Sequence, residues 1–192
     1  EALAAAITSL TPRLDILINN AGASWGADID SFPEAGWDKV MNLNVKSVFF
    51  LSQQLLPLLK NAAAEDRPAR IINIASVYGM VHSALKTYSY GASKAAVIQL
   101  TRQLAADLAE AHINVNAIAP GYIATNNTAA LQEDETRNRQ ILERIPEGRW
   151  GDPSDIGDAV VAAYGTSAAL LDDHWTAVWG QQDIDTRGVL IE

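Results

Sequence analysis

The stretch LDILINNAG, residues 14–22, decides how this chain folds. Its apolar run is too short for a helix and stops at Asn-Ala-Gly, the pattern of a buried parallel strand that runs into a turn. Upstream, EALAAAITSL (1–10) reads as a helix. Downstream, EAGWDKVMNLNVKSVFFLSQQLLPLLKNAA (34–63) keeps apolar residues at helical spacing, and ARIINIAS (69–76) is a second buried strand. A further helix runs through Tyr90 to about Ala111, and INVNAIAPG (113–121) is a third strand stopped by Pro-Gly. Strands separated by helices imply right-handed crossovers, so the fold class is α/β, a doubly wound parallel sheet covered on both faces. Ligands of such sheets sit beyond the carboxyl ends of the strands. The unusual polar and glycine residues fall there: Asn20-Ala21-Gly22, Ser76 and Pro120-Gly121.

Composition narrows the partners. The chain has 192 residues, 48% hydrophobic and 19% charged, which fits one globular domain. A formal charge of -9 argues against a nucleic-acid groove and offers no basic patch for a membrane surface, so a small-molecule substrate is expected. With no cysteine, thiolate catalysis and cysteine-ligated zinc are excluded. The sequence contains no 18-residue apolar run and no signal-peptide pattern, and a cytoplasmic location is expected. The three histidines, 82, 112 and 174, have no metal spacing.

In YSYGASKAAV (88–97), Tyr90 and Lys94 stand four residues apart at the start of a helix. That spacing puts both on one face, where an ammonium beside a phenol would favour the phenolate. Ser76 precedes Tyr90 by one connection, so a strand-end hydroxyl and a helix-start phenol can face one substrate. A serine hydrolase is disfavoured, because no Gly-x-Ser-x-Gly elbow occurs and Ser93 sits inside the helix. The polar stretch 126–155 reads as a mobile helical lid. Asp152 and Pro153 then open a new helix as its cap and first residue.

Five segments together resemble the short-chain dehydrogenases and reductases: NNAG, NLNV, IINIAS, Tyr90-Gly-Ala-Ser-Lys94 and NAIAPGYIAT, in order across roughly residues 14–160. The resemblance implies a Rossmann-like sheet and an enzyme that interconverts a secondary alcohol and a ketone with NAD or NADP. It makes Tyr90 the acid/base. Lys94 would lower the Tyr90 pKa and bond the nicotinamide ribose, Ser76 would hold the substrate oxygen, and Asn44, with Asn42 as its near alternative, would anchor a water. Asn20, Ala21, Gly22, Pro120, Gly121, Ile123 and Thr125 would line the cofactor with Tyr90 and Lys94. A homodimer or homotetramer is implied for the complete protein. The segments IAPGYIATNNT and ILERIPEGRWGDPSD resemble the deoxy-gluconate dehydrogenases, sugar-acid members that use NAD; the 3-oxoacyl carrier-protein reductases are the alternative. A carboxylate substrate would want a guanidinium partner, Arg149 or Arg144.

The family's glycine-rich turn, Thr-Gly-x-x-x-Gly-x-Gly, does not occur here. The resemblance therefore implies a single incomplete domain without the first three strands: a core at 1–125, a lid at 126–155, and a terminal helix and tail at 156–192. Such a piece is expected to be catalytically silent alone, retaining at most an association surface. Past about Val161 the likeness stops, and an altered reading frame or misplaced splice junction is the expected reason. Transcripts that carry this tail uninterrupted would speak against that.

Overall fold

A computed structural model describes residues 2–83 and 85–165. Strands β1 (Ile16–Asn19), β2 (Ala69–Ile74) and β3 (Ile113–Ile118) form one parallel sheet in that order. Leu17 pairs with Ile71, and Ile71 with Val115. The helices are α1 (Ala2–Leu10), α2 (Glu34–Met41), α3 (Ser47–Ala62), α4 (Tyr88–Leu108), α5 (Ala129–Glu133), α6 (Glu135–Leu142) and α7 (Pro153–Gly165). The tail 166–192 lies outside the described residues. Among the described residues no helix is long and apolar enough to cross a membrane.

Helices cover both faces, which is why the strands are apolar along nearly their whole length. On one face Leu17, Ile71 and Val115 pack with Ala4 of α1, Leu55 and Leu59 of α3, and Ala105 of α4. On the other, Ile72 and Ile118 pack with Ala159 of α7, with Ile74, Ile156 and Val160 against them. Ile16 and Ile18 of the outer strand β1 lie on this second face and are exposed.

The first face also buries a polar line. The Asn19 amide donates to Asn73 Oδ1 (2.8 Å) and to Ser52 Oγ (3.2 Å). The Asn73 amide donates to Thr101 Oγ1 (2.9 Å), which donates to the Val97 carbonyl (2.8 Å). The side chains of Asn19, Ser52, Asn73 and Thr101 are all buried, and each has a partner, which removes the penalty of burying it alone.

The strands are shorter than the 14–22, 69–76 and 113–121 expected. Their polar ends leave the hydrogen-bond ladder and become loops; Ser76, for example, caps a 3-10 turn at Val77–Gly79. The helix expected over 34–63 divides at a π-turn, Asn42–Lys46, which widens the backbone by one residue between α2 and α3. The 126–155 stretch holds a 3-10 turn at Asn126–Thr128, then α5 and α6, then turns leading to α7. Pro153 is the first residue of α7, and Asp152 Oδ1 accepts the Ser154 N–H (2.9 Å).

Candidate active site

The candidate site forms where β1, β2 and β3 end against α4. Ser76 follows β2 directly; its Oγ donates to the Pro120 carbonyl (3.4 Å) and accepts the Tyr78 N–H (3.3 Å). These bonds tie the ends of β2 and β3 together. Tyr90 and Lys94 lie on the first turns of α4, with the Lys94 ammonium 5.7 Å from the centre of the Tyr90 ring. Lys94 is buried, and its Nζ donates to the Ile74 carbonyl at 2.6 Å. Gly79 lets this corner close. A Cβ there would stand 2.7 Å from the Lys94 carbonyl carbon and 2.8 Å from the Ala95 nitrogen.

Asn44 sits in the π-turn and is buried, whereas Asn42 is exposed. Its Oδ1 accepts the Ala23 N–H (2.8 Å), and its amide donates to the Ala23 carbonyl (2.9 Å) and to Ser93 Oγ (2.9 Å). Ser93 in turn donates to the Tyr90 carbonyl at 2.7 Å. Asn44 therefore clamps the loop after β1 onto the first turn of α4. The bonds of this clamp are all made by the Asn44 side chain. Gly22 adjoins this clamp, since a Cβ there would lie 3.5 Å from Asn44 Oδ1 and 3.6 Å from Lys94 Nζ.

The remaining residues singled out in the sequence divide. Pro120 belongs to the Ser76 corner. Ile123 is buried and bridges to Gly151, which anchors the segment leading to α5. Asn20 and Ala21 are exposed at the mouth, beside Gly22, and Gly121 is half-buried. Thr125 caps its own 3-10 turn, its N–H donating to Thr128 Oγ1 (3.0 Å). Arg149 pairs with Glu147 (2.9 Å) and Asp155 (3.2 Å).

Sequence reasoning weighed Ser93 only as a nucleophile and passed over Tyr78, Tyr122 and Trp150. Tyr78 donates to the Tyr122 hydroxyl, Tyr122 meets Trp150 edge to face at 5.4 Å, and Trp150 Nε1 donates to Asn138 Oδ1 at 2.7 Å. This chain of contacts joins the Ser76 corner to α6. The available signal was an aromatic two residues after each strand-end marker: Tyr78 after Ser76, and Tyr122 after Pro120.

Burial dominates the electrostatics. It pushes the Lys94 ammonium down to about 8. It raises the Tyr90 phenol above its ordinary value, while a hydrogen bond with Ser76 works the other way. The depressed Tyr90 pKa expected from Lys94 is thus reversed here, because desolvation outweighs the stabilisation of the phenolate. A stability consequence follows. Below pH 8 Lys94 is charged in both the folded and unfolded states, and folding bears the whole cost of burying it. Between about 8 and 10.5, its ordinary value, the folded chain releases the proton first, so stability rises with pH. The rise should be on the order of 2–3 kcal/mol. Tyr90 and Tyr78, raised by burial, act with the opposite sign, and only from about pH 10 upward. Denaturant unfolding across this window should show the rise in the wild type and a flat profile in Lys94→Met. A rise that survives in Lys94→Met would refute the assignment.

Several features fit the nicotinamide end of a dinucleotide. Lys94 offers three donors, of which one goes to Ile74. Beside it lies exposed backbone at 20–22, with only hydrogen on the Gly22 Cα. No group of three histidine, aspartate or glutamate side chains able to hold a metal ion occurs among the described residues.

The comparisons with known proteins agree with this geometry. The family model for short chain dehydrogenases matches residues 1–136, and the chain belongs to that family. A rhamnolipids biosynthesis 3-oxoacyl-[acyl-carrier-protein] reductase of Pseudomonas aeruginosa is 48% identical over 169 residues, covering 88% of this chain and 66% of that protein. A 2-dehydro-3-deoxy-D-gluconate 5-dehydrogenase of Dickeya dadantii is 49% identical over 168 residues, covering 88% of this chain and 65% of its own. The solved Pseudomonas aeruginosa RhlG/NADP active-site complex superposes with a TM-score of 0.82 at 48% identity, over 86% of this chain and 64% of that one. The chain thus spans slightly less than two thirds of these relatives.

Proposed function

We propose that the protein containing this chain is an NAD(P)-dependent oxidoreductase that interconverts a secondary alcohol and a ketone, acting on a deoxy sugar acid. The observation that carries this reading is the meeting of Ser76, Tyr90 and Lys94 at the end of β2, with Lys94 fixed on the Ile74 carbonyl. A bound nicotinamide dinucleotide supplies or accepts the hydride. In reduction, Ser76 Oγ orients the substrate carbonyl oxygen and Tyr90 Oη delivers its proton to that oxygen. In oxidation, Tyr90 first gives up its own proton to solvent, and the phenolate then accepts the proton of the substrate hydroxyl. The raised phenol pKa keeps Tyr90 protonated at neutral pH, the state reduction needs. Lys94 holds its charge under the site, and Asn44 and Ser93 keep the loop and helix in register around it.

The Dickeya relative supports the sugar-acid substrate, and the Pseudomonas relative supports a second reading, a 3-oxoacyl thioester. The resemblance to sugar-acid members favours NAD, while the complex with NADP supports the phosphorylated cofactor equally. Exposed Phe49 and Phe50 on α3 support a self-association surface, a homodimer or homotetramer. An association surface without catalysis is the reading left if turnover fails. The cysteine-free composition supports a cytoplasmic location.

The test is a panel of deoxy-gluconates and 3-oxoacyl thioesters, run with NAD and NADP on the complete gene product. The sugar acids should give at least a tenfold higher kcat/KM. Preference for the thioester would overturn the substrate and leave the oxidoreductase standing.

A further inference from the structure

Beside the Ser76 corner lies a cleft of about 850 Å³, walled by the loop after β1, the 85–86 segment, Tyr122, and α5 and α6. Ser76, Tyr90 and Lys94 are not in its walls, so it can take only the part of a ligand remote from the reacting carbon. Its charges are unusual for a protein of net charge -9: three basic side chains face two acidic ones. Two of the basic groups are occupied, Lys86 with Asp28 and Arg137 with Asp134 at 3.5 Å. Arg144 is exposed in the cleft and forms no ion pair among the described residues. Arg149, the second candidate from the sequence, is already held between Glu147 and Asp155.

A second donor lies in the same wall. Tyr78 donates to the Tyr122 oxygen, which leaves the Tyr122 hydrogen available to a ligand in the cleft. Arg144 and Tyr122 line the same cleft, and the charge of Arg144 acts on the Tyr78 phenol. Tyr78 also donates its N–H to Ser76 Oγ, so the same short segment carries this hydroxyl pair and the hydroxyl that faces the reacting oxygen.

We propose that Arg144 and Tyr122 bind the carboxylate of the substrate, Arg144 as the charged partner and Tyr122 as a hydroxyl donor, and so set the preference for an acid over a neutral polyol or thioester. This rests on the oxidoreductase reading of the adjacent corner and assigns its far subsite. A guanidinium gives a carboxylate two parallel hydrogen bonds, which an amide or an ammonium reproduces only in part.

The experiment is calorimetric titration of the complete gene product, loaded with dinucleotide, using D-gluconate and its uncharged counterpart D-glucitol. The wild type should prefer gluconate. Arg144→Gln should weaken gluconate at least tenfold and leave glucitol unchanged, Arg144→Lys should fall between, and Tyr122→Phe should lose about threefold or more. Circular dichroism of each variant checks its fold, and Arg144 is a surface residue whose replacement leaves the core intact. Equal gluconate affinity in wild type and Arg144→Gln overturns the proposal. So does a wild type that binds no gluconate, or binds it no better than glucitol. These readouts need no turnover, so loss of the Arg144 effect and failure of the Tyr90 chemistry are separate results.

Discussion

Tyr90→Phe in the complete gene product should lower the rate of carbonyl reduction between about a hundredfold and ten-thousandfold, the range a positioned general acid contributes. The substitution removes one oxygen from a half-buried ring and leaves its contacts on α4 in place. Lys94 keeps its bond to the Ile74 carbonyl, so dinucleotide affinity should change less than threefold. The split between rate and affinity identifies the role, because a residue that only shaped the pocket would disturb both. Single-turnover oxidation of NADPH gives the rate, and quenching of its fluorescence gives the affinity. Retention of most of the wild-type rate would remove Tyr90 from the mechanism.

Gly79→Ala should be nearly as damaging by a different route. The added methyl would meet the Lys94 carbonyl carbon at 2.7 Å, the Ala95 nitrogen at 2.8 Å and Ile98 Cδ1 at 2.9 Å. Two of these atoms belong to the helix backbone and cannot turn aside, so the 77–79 turn must move off α4. Ser76 moves with it, away from Tyr90. Overpacking of this kind costs about 1–3 kcal/mol, and for a chain of this size the midpoint of thermal unfolding should fall on the order of 5 °C. The rate should fall further than the stability loss explains, since the hydroxyl and the phenol must act on one oxygen. Gly157→Ala is the control. Nothing lies within 4 Å of the position of its added methyl, and alanine in the middle of α7 should leave stability equal or slightly higher. A Gly79→Ala protein with unchanged midpoint and rate would show that the turn and the helix do not meet as closely as described.

The sheet was legible because buried parallel strands leave a plain signature: ILI, RIINI and INVNAI are short, apolar and bounded by turn residues. Their ends were read too long, because Asn20, Ser76 and Pro120 continue the strand's direction in sequence while leaving its ladder in space. Ser76, Tyr90 and Lys94 could be named because their motifs resemble those of the short-chain dehydrogenases, and the convergence of strand ends and helix starts in this topology agreed with that reading. The π-turn left no trace, since one extra residue changes helical periodicity too little to notice over two turns. The Tyr90 pKa was misjudged because a four-residue spacing shows that Lys94 is near and says nothing about how much water reaches either group. The choice between Arg144 and Arg149 could not be made from sequence, as it turns on which of them already has carboxylates beside it.

The buried line from Ser52 through Asn19 and Asn73 to Thr101 has a consequence for how the chain finds its fold. β1 is four residues long and its first three are interchangeable aliphatics, so apolar attraction alone would hold it against β2 almost as well one pair out of step. A slip of two residues keeps every side chain on its own face and still buries the aliphatics. It also takes the Asn19 amide away from the Asn73 side-chain oxygen and sets both against methyl groups, at a cost of about 1–3 kcal/mol for each group left unmatched. Only when Asn19 stands opposite Asn73 are both answered. The asparagines therefore act mainly by making the wrong alignments costly, and a protein with leucine at both positions would be free to populate misaligned sheets, even where its native state were no less stable.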